Sequence, residues 1–182
     1  MMRVEFSRLR FIIIDDNTYI RRVLRALLYG FGAREVFEAE DGAAGLEAFM
    51  AHSPDIVITD WEMPILDGIE VTRMIRQPSS TSNPFVPIIM VSAYSEKRRV
   101  MEARDAGVTE FLVKPISAKS LYQRVLNAVA NPRPFVRTTS YFGPDRRRST
   151  LNEYSGPERR KAGDAEVIEA KSLAGKTMRG AA

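Results

Sequence analysis

A chain of 182 residues with 27 Lys/Arg, 23 Asp/Glu and no cysteine has room for one domain of about 130 residues plus an appendage, or for two small domains. The lack of thiols excludes a disulfide framework and a thiolate zinc centre, and it fits a reducing cytosol. No run reaches the roughly 18 apolar residues that span a bilayer, and Met1 to Arg10 lacks the apolar region of a signal peptide, so a soluble, cytoplasmic protein with no membrane span is expected.

Residues 11–14 (Phe-Ile-Ile-Ile) form the first short, continuous apolar run, the pattern of a strand buried on both faces. Ile20, Val23, Leu24, Leu27 and Leu28 then mark one helical face, which Gly30 and Gly32 bring to a stop. A weaker strand is read at residues 34–38. Asp41 is placed to cap a helix over residues 42–50. Further strands are read at residues 55–59, 86–91 and 109–113, with a polar loop at residues 77–84 to which no role is assigned. A helix over residues 95–106 has little more than Val100, Ala103 and neighbouring alanines to bury, and Gly107 ends it. Ser117 can cap a last helix carrying Leu121, Val125, Ala128 and Val129.

Apolar periodicity stops near residue 130, which sets an expected boundary between a domain at residues 1–131 and a tail at residues 132–182. The charge divides at the same place. Residues 1–131 hold 16 Lys/Arg against 17 Asp/Glu, and residues 132–182 hold 11 against 6.

Five strands alternating with five helices predict a parallel sheet covered on both faces, because right-handed crossovers put the helices there. Ligands of such sheets sit beyond the carboxyl ends of the strands. Asp15 and Asp16, Asp60, Ser92 and Lys114 each follow an apolar run, so the topology brings them together. Three carboxylates in one pocket repel, by about 4 kcal/mol for a pair 4 Å apart at an effective dielectric near 20. A divalent cation relieves this, and oxygen-only ligands favour Mg²⁺. One carboxylate can then attack phosphorus to give an acyl phosphate, with the Lys114 ammonium and the Ser92 hydroxyl on the phosphoryl oxygens. Taken singly each feature is bland: an acidic pair is commonly a helix cap, and Phe111 could be plain core. Jointly they describe a site for phosphoryl transfer.

The acidic pair, Asp60-Trp61-Glu62-Met63-Pro64, Ser92-Ala93 and Phe111-Leu112-Val113-Lys114-Pro115 occur in an order and spacing that resemble the receiver domain of two-component response regulators, over roughly residues 8–131. The resemblance implies a flavodoxin-like (βα)5 fold with parallel strands in the order 2-1-3-4-5. It implies that Asp60 accepts phosphate from the phosphohistidine of a histidine kinase or a histidine phosphotransferase. Asp15, Asp16, Asp60 and the Trp61 backbone carbonyl would hold Mg²⁺, with Asp15 acting partly through water. Ser92, Lys114 and the aromatic Phe111 would form the switch, and the Lys114–Pro115 bond would be cis. Output would pass through the fourth helix, fifth strand and fifth helix, and such surfaces can pair in a homodimer. The protein would be a signalling phosphoacceptor whose only catalysis is its own phosphotransfer and dephosphorylation. Glu62 and Tyr94, two residues after Asp60 and Ser92, are expected to border the path of the attacking water and to tune the lifetime of the acyl phosphate.

His52 invites reading as a phosphocarrier, but a solvated helix end accounts for it. Lys97-Arg98-Arg99 reads as a solvated face, with a partner contact as the alternative. An aspartyl-phosphatase reading meets Glu62 only loosely and leaves Asp15-Asp16 unexplained.

The tail lacks an apolar stripe long enough for a helix-turn-helix, so a DNA-binding output domain is not expected. It carries a repeat: Tyr141-Phe142-Gly143-Pro144-Asp145-Arg146-Arg147-Arg148 recurs as Tyr154-Ser155-Gly156-Pro157-Glu158-Arg159-Arg160-Lys161. An aromatic, a Gly-Pro turn, an acid and a basic triplet form a linear recognition element presented twice, in a tail expected to be largely disordered on its own. The two readings of function are therefore a phosphorylation-gated interaction module or phosphorelay carrier, and a regulator whose basic tail is the output, contacting nucleic acid or tethering another protein.

Overall fold

The computed structural model describes residues 3–79, 81, 83–146, 166–168, 173 and 178–179. Its centre is a sheet of five parallel strands: β2 (Arg10–Ile14), β3 (Glu35–Ala39), β4 (Ile56–Asp60), β5 (Ile88–Ser92) and β6 (Glu110–Val113), ordered β3-β2-β4-β5-β6. Counting core strands alone, this is the expected order 2-1-3-4-5. The helices between them are α1 (Thr18–Gly30), α2 (Gly42–His52), α3 (Gly68–Ile75), α4 (Lys97–Ala106) and α5 (Ala118–Ala130).

Side chains alternate across the strands with a period of two. Phe11, Ile13, Ile56, Ile58, Ile89 and Val91 meet Leu24 and Leu28 of α1 and Leu121, Val125 and Val129 of α5. Ile12, Ile14, Val57 and Ile88 meet Phe49 of α2 and Val71 and Ile75 of α3 on the other face. Both faces are covered, so the central strands read as unbroken apolar runs. Strand β3, at the sheet edge, is only half buried over Val36 to Glu38, which is why its pattern is the weakest.

Local signals hold the helices in place. Asn17, Asp41, Asp67 and Ser117 accept backbone N–H groups at the first turns of α1, α2, α3 and α5. The N-cap of α4, Glu96, makes no such hydrogen bond, and that helix buries only Ala103 and Ala106.

The folded body extends beyond residue 131. Strands β7 (Phe135–Arg137), β8 (Phe142–Pro144) and β9 (Glu166–Ile168) form a small antiparallel sheet ordered β8-β7-β9. Phe135 and Val136 are buried, and the rings of Phe85, Phe135 and Phe142 form a triangle with centroids 5.0–5.5 Å apart. The first part of the segment expected to be a disordered tail is therefore a strap on the domain. At the other terminus, β1 (Arg3–Val4) pairs antiparallel with β10 (Met178–Arg179). The first repeat copy is seen from Tyr141 to Arg146, and the second lies outside the described residues.

Candidate functional site

Strands β2, β4, β5 and β6 end side by side, with Asp60 in register with Val91 and Ser92 with Val113. Asp15 follows β2, Asp60 and Ser92 are the last residues of their strands, and Lys114 follows β6. One carboxylate oxygen from each of Asp15, Asp16 and Asp60 lies within 4.8 Å of the others. Asp15 and Asp60 are buried and Asp16 is exposed. Lys114 Nζ sits 2.7 Å from Asp60 Oδ1 and 3.5 Å from Asp15 Oδ2.

Burial is the main influence on both interior acids, and it raises their pKa values above the ordinary carboxylate range. The Asn17 N–H, 2.8 Å from Asp15 Oδ1, and the nearby ammonium of Lys114 work against this without cancelling it. For Lys114, burial acts to lower the pKa, but contact with Asp60 and Asp15 outweighs it and the net direction is upward.

Asp15 Oδ2 is buried without a hydrogen-bond donor. A buried carboxylate oxygen that makes no hydrogen bond, shares one ammonium with Asp60 and faces two more acids, in a donor set made only of oxygen, fits a hard divalent cation such as Mg²⁺. The Trp61 carbonyl oxygen, expected as a further ligand, accepts the Gly68 N–H at 2.9 Å and keeps a second lone pair. That hydrogen bond ties the oxygen to the turn into α3, and the side-chain oxygens gathered here are those of the three carboxylates. Gly68 has its own reason: a Cβ there would run into the Asp60 carbonyl oxygen. The acceptor loop can pack this tightly on α3 only with glycine.

Ser92 is buried, and its Oγ accepts the Tyr94 N–H at 3.1 Å, leaving the hydroxyl hydrogen to be donated. The Lys114 N–H donates to the Ser92 carbonyl at 2.8 Å. The Lys114–Pro115 peptide is cis. Phe111 lies half buried among Met90, Ala103 and Ala106, its ring edge-on to Trp61 with centroids 6.2 Å apart. Next to the acceptor loop, Ile65 adopts φ 70° and is fully exposed. His52 is an exposed helix end stacked on Phe37 at 3.9 Å, away from these groups.

Arg99 is the residue that sequence reasoning missed. It is grouped with Lys97 and Arg98 as a solvated charge run, yet it pairs with Glu62 at 2.9 Å and stacks over Tyr94 and Trp61. Only the spacing of Glu62 and Tyr94 from Asp60 and Ser92 hinted that this corner was organised.

The family model for the response regulator receiver domain matches residues 11–126. The chain belongs to the response regulator receiver family. The chemotaxis protein CheY of Pseudomonas aeruginosa is 32% identical over 117 residues, covering 64% of this chain and 93% of that protein. Among solved structures, CheY4 of Vibrio cholerae aligns with TM-score 0.60 and 28% identity, covering 65% of this chain and 97% of the other. A receiver domain protein from Clostridium thermocellum aligns with TM-score 0.60 and 30% identity over 67% of this chain and 94% of the other. Receivers in general bind magnesium in such an acidic pocket and serve as signalling phosphoacceptors. Among the described residues no helix is long and apolar enough to cross a membrane.

Proposed function

We propose that this receiver takes a phosphoryl group onto Asp60 from the phosphohistidine of a histidine kinase or histidine phosphotransferase in the cytoplasm, and signals through the face built by α4, β6 and α5. The observation that carries this reading is Asp60 itself, buried at a strand end beside Lys114 and two more carboxylates.

In the transfer, an Asp60 carboxylate oxygen bonds to phosphorus while the phosphorus–nitrogen bond breaks, its electron pair staying on the imidazole. Magnesium held by Asp15, Asp16 and Asp60 would neutralise charge on the transferring group. Lys114, now paired with Asp60, exchanges its carboxylate partner for a phosphoryl oxygen. Ser92 donates its hydroxyl hydrogen to another, and Phe111 fills the space that Ser92 vacates. The aspartyl phosphate carries about −1.5 to −2 charges at neutral pH where the carboxylate carried −1, a net addition of about −0.5 to −1. Converting a 1:99 mixture of states to 99:1 takes about 5.5 kcal/mol of differential contact.

The output face fits a role for the strap as well. A cleft of about 580 Å³ between α4, β6 and α5 is lined by Met101, Phe111 and Val113 and also by Arg133 and Arg146 from the strap. The basic segment thus contributes to the proposed output surface. Pull-downs with phosphorylated protein and with Asp60→Asn test this. A partner retained by the first and lost from the second supports the reading, and equal retention counts against it.

A further inference from the structure

Arg99, in the first turn of α4, reaches back over the mouth of the site. Its Nη1 is 2.9 Å from Glu62 Oε1, and its guanidinium carbon is 4.2 Å from the Tyr94 ring centre and 5.3 Å from that of Trp61. One side chain therefore touches the residue after the acceptor, the residue two after it, and the residue two after Ser92. It does so from a helix that supplies none of the groups gathered around Asp60.

An exposed ion pair contributes at most about 1 kcal/mol. The two ring contacts each add about 0.5–1 kcal/mol, and they need the flat guanidinium that lysine lacks. Such a sum matters here because little else secures this end of α4. Its N-cap is unsatisfied by a side chain, and its buried residues, Ala103 and Ala106, lie in its second half.

We propose that Arg99 is a positioning residue: a clasp that ties the first turn of α4 to the acceptor loop and holds Glu62 and Tyr94 across the approach to Asp60. The structural half of this inference stands on packing, and the kinetic half rests on the phosphoacceptor reading. In hydrolysis of the aspartyl phosphate, a water oxygen bonds to phosphorus, and the phosphorus–oxygen bond to Asp60 breaks with its electron pair returning to the carboxylate. The proton of the water leaves with the phosphate product. The water must come in line with the breaking bond. Glu62 and Tyr94, while clasped, narrow that approach, and Glu62 is occupied by Arg99. Once released, its carboxylate is free to accept a hydrogen bond from the water.

The test uses the full chain as wild type, Arg99→Ala, Arg99→Lys, Glu62→Gln and the Arg99→Ala/Glu62→Gln double variant. Acrylamide quenching of Trp61, the single tryptophan, is measured without phosphodonor. Quenching should rise about twofold in Arg99→Ala as the ring loses its cover, and less in Arg99→Lys. Unchanged quenching in both overturns the clasp, and Arg99→Lys keeps the test open should Arg99→Ala disturb folding. Decay of the phosphoryl group after loading with acetyl phosphate should be roughly threefold to tenfold faster in Arg99→Ala, a barrier change of about 0.7–1.4 kcal/mol. The double variant should decay no faster than Glu62→Gln. Equal decay in wild type and Arg99→Ala, or strictly additive effects in the double variant, overturns the clasp. Wild-type protein that takes no label overturns the phosphoacceptor reading instead, while quenching still decides the clasp.

Discussion

The two rims of the parallel sheet both bury charge and resolve it in opposite ways. At the amino-terminal rim Arg76 is buried, donating from Nε to the Gly107 carbonyl at 3.0 Å and from Nη1 to the Pro84 carbonyl at 2.8 Å. The Phe135 ring of the strap closes over it, 5.2 Å from the guanidinium carbon. Burial lowers its pKa to about 9, and it stays charged at neutral pH. At the carboxyl-terminal rim Asp15 and Asp60 have one ammonium between them, and Asp15 Oδ2 makes no hydrogen bond, with that ammonium 3.5 Å away as its only cation among the described residues. The chain meets Arg76 with two carbonyl oxygens, the Thr109 hydroxyl and an aromatic face. It leaves the acids to be completed by an ion and a phosphoryl group. A charge buried for stability is satisfied from within, and a charge buried for chemistry is not.

The sharpest way to break this contrast is Arg76→Met, which strands two buried carbonyls and loosens the strap. We expect a loss of about 3–5 kcal/mol in urea unfolding; a neutral result would mean that the amino-terminal rim does not depend on the arginine. Phe135→Ala should cost about 3–4 kcal/mol and expose Phe85 and Phe142, seen as faster hydrogen exchange in β7 and β8. If the protein were as stable as before, the strap would be resting on the domain without supporting it.

The acidic rim should respond in the opposite sense. Because burial raises the folded-state pKa values of Asp15 and Asp60, the folded protein holds more protons than the unfolded chain between the ordinary value of 3.8 and the raised ones. Stability of the metal-free protein should therefore fall as pH rises through that window. The upward shift of Lys114 contributes stability that is lost only at alkaline pH, outside the window. Magnesium at a hundred times its dissociation constant should add about 2.7 kcal/mol at neutral pH. Asp60→Asn should remove much of the pH slope in thermal melts, and an unaltered slope would show that these acids are not under strain.

The smallest effect concerns Ile65, a β-branched residue held at φ 70° with its side chain in solvent. Ile65→Asn should stabilise by about 1 kcal/mol, since asparagine tolerates this backbone far better. No gain would mean that the loop relaxes in solution.

The sheet and the acidic rim were legible for the same reason. Strands such as β2 and β4, apolar on both faces, announce themselves as runs, and a charge at the end of a run marks a strand terminus. The strap was not legible, because Phe135, Val136 and Phe142 sit among Pro, Gly and Arg in three-residue strands too short to show a period. Arg76 was silent because a single arginine at a helix end looks solvated. Arg99 looks like part of a solvated run, because nothing in Lys97-Arg98-Arg99 reveals that one of three adjacent cations faces the rings of Trp61 and Tyr94. The hydrogen bond from the Gly68 N–H to the Trp61 carbonyl becomes visible only in the fold.

The central claim is that the charge left open at the carboxyl-terminal rim is completed by a phosphoryl group on Asp60. Incubation with acetyl phosphate and magnesium, followed by peptide mapping of the labelled protein, tests it most directly. The account predicts one phosphoryl group on Asp60, lost on omission of magnesium and in Asp60→Asn. A label on another residue, or none under conditions where magnesium stabilises the fold, would contradict it.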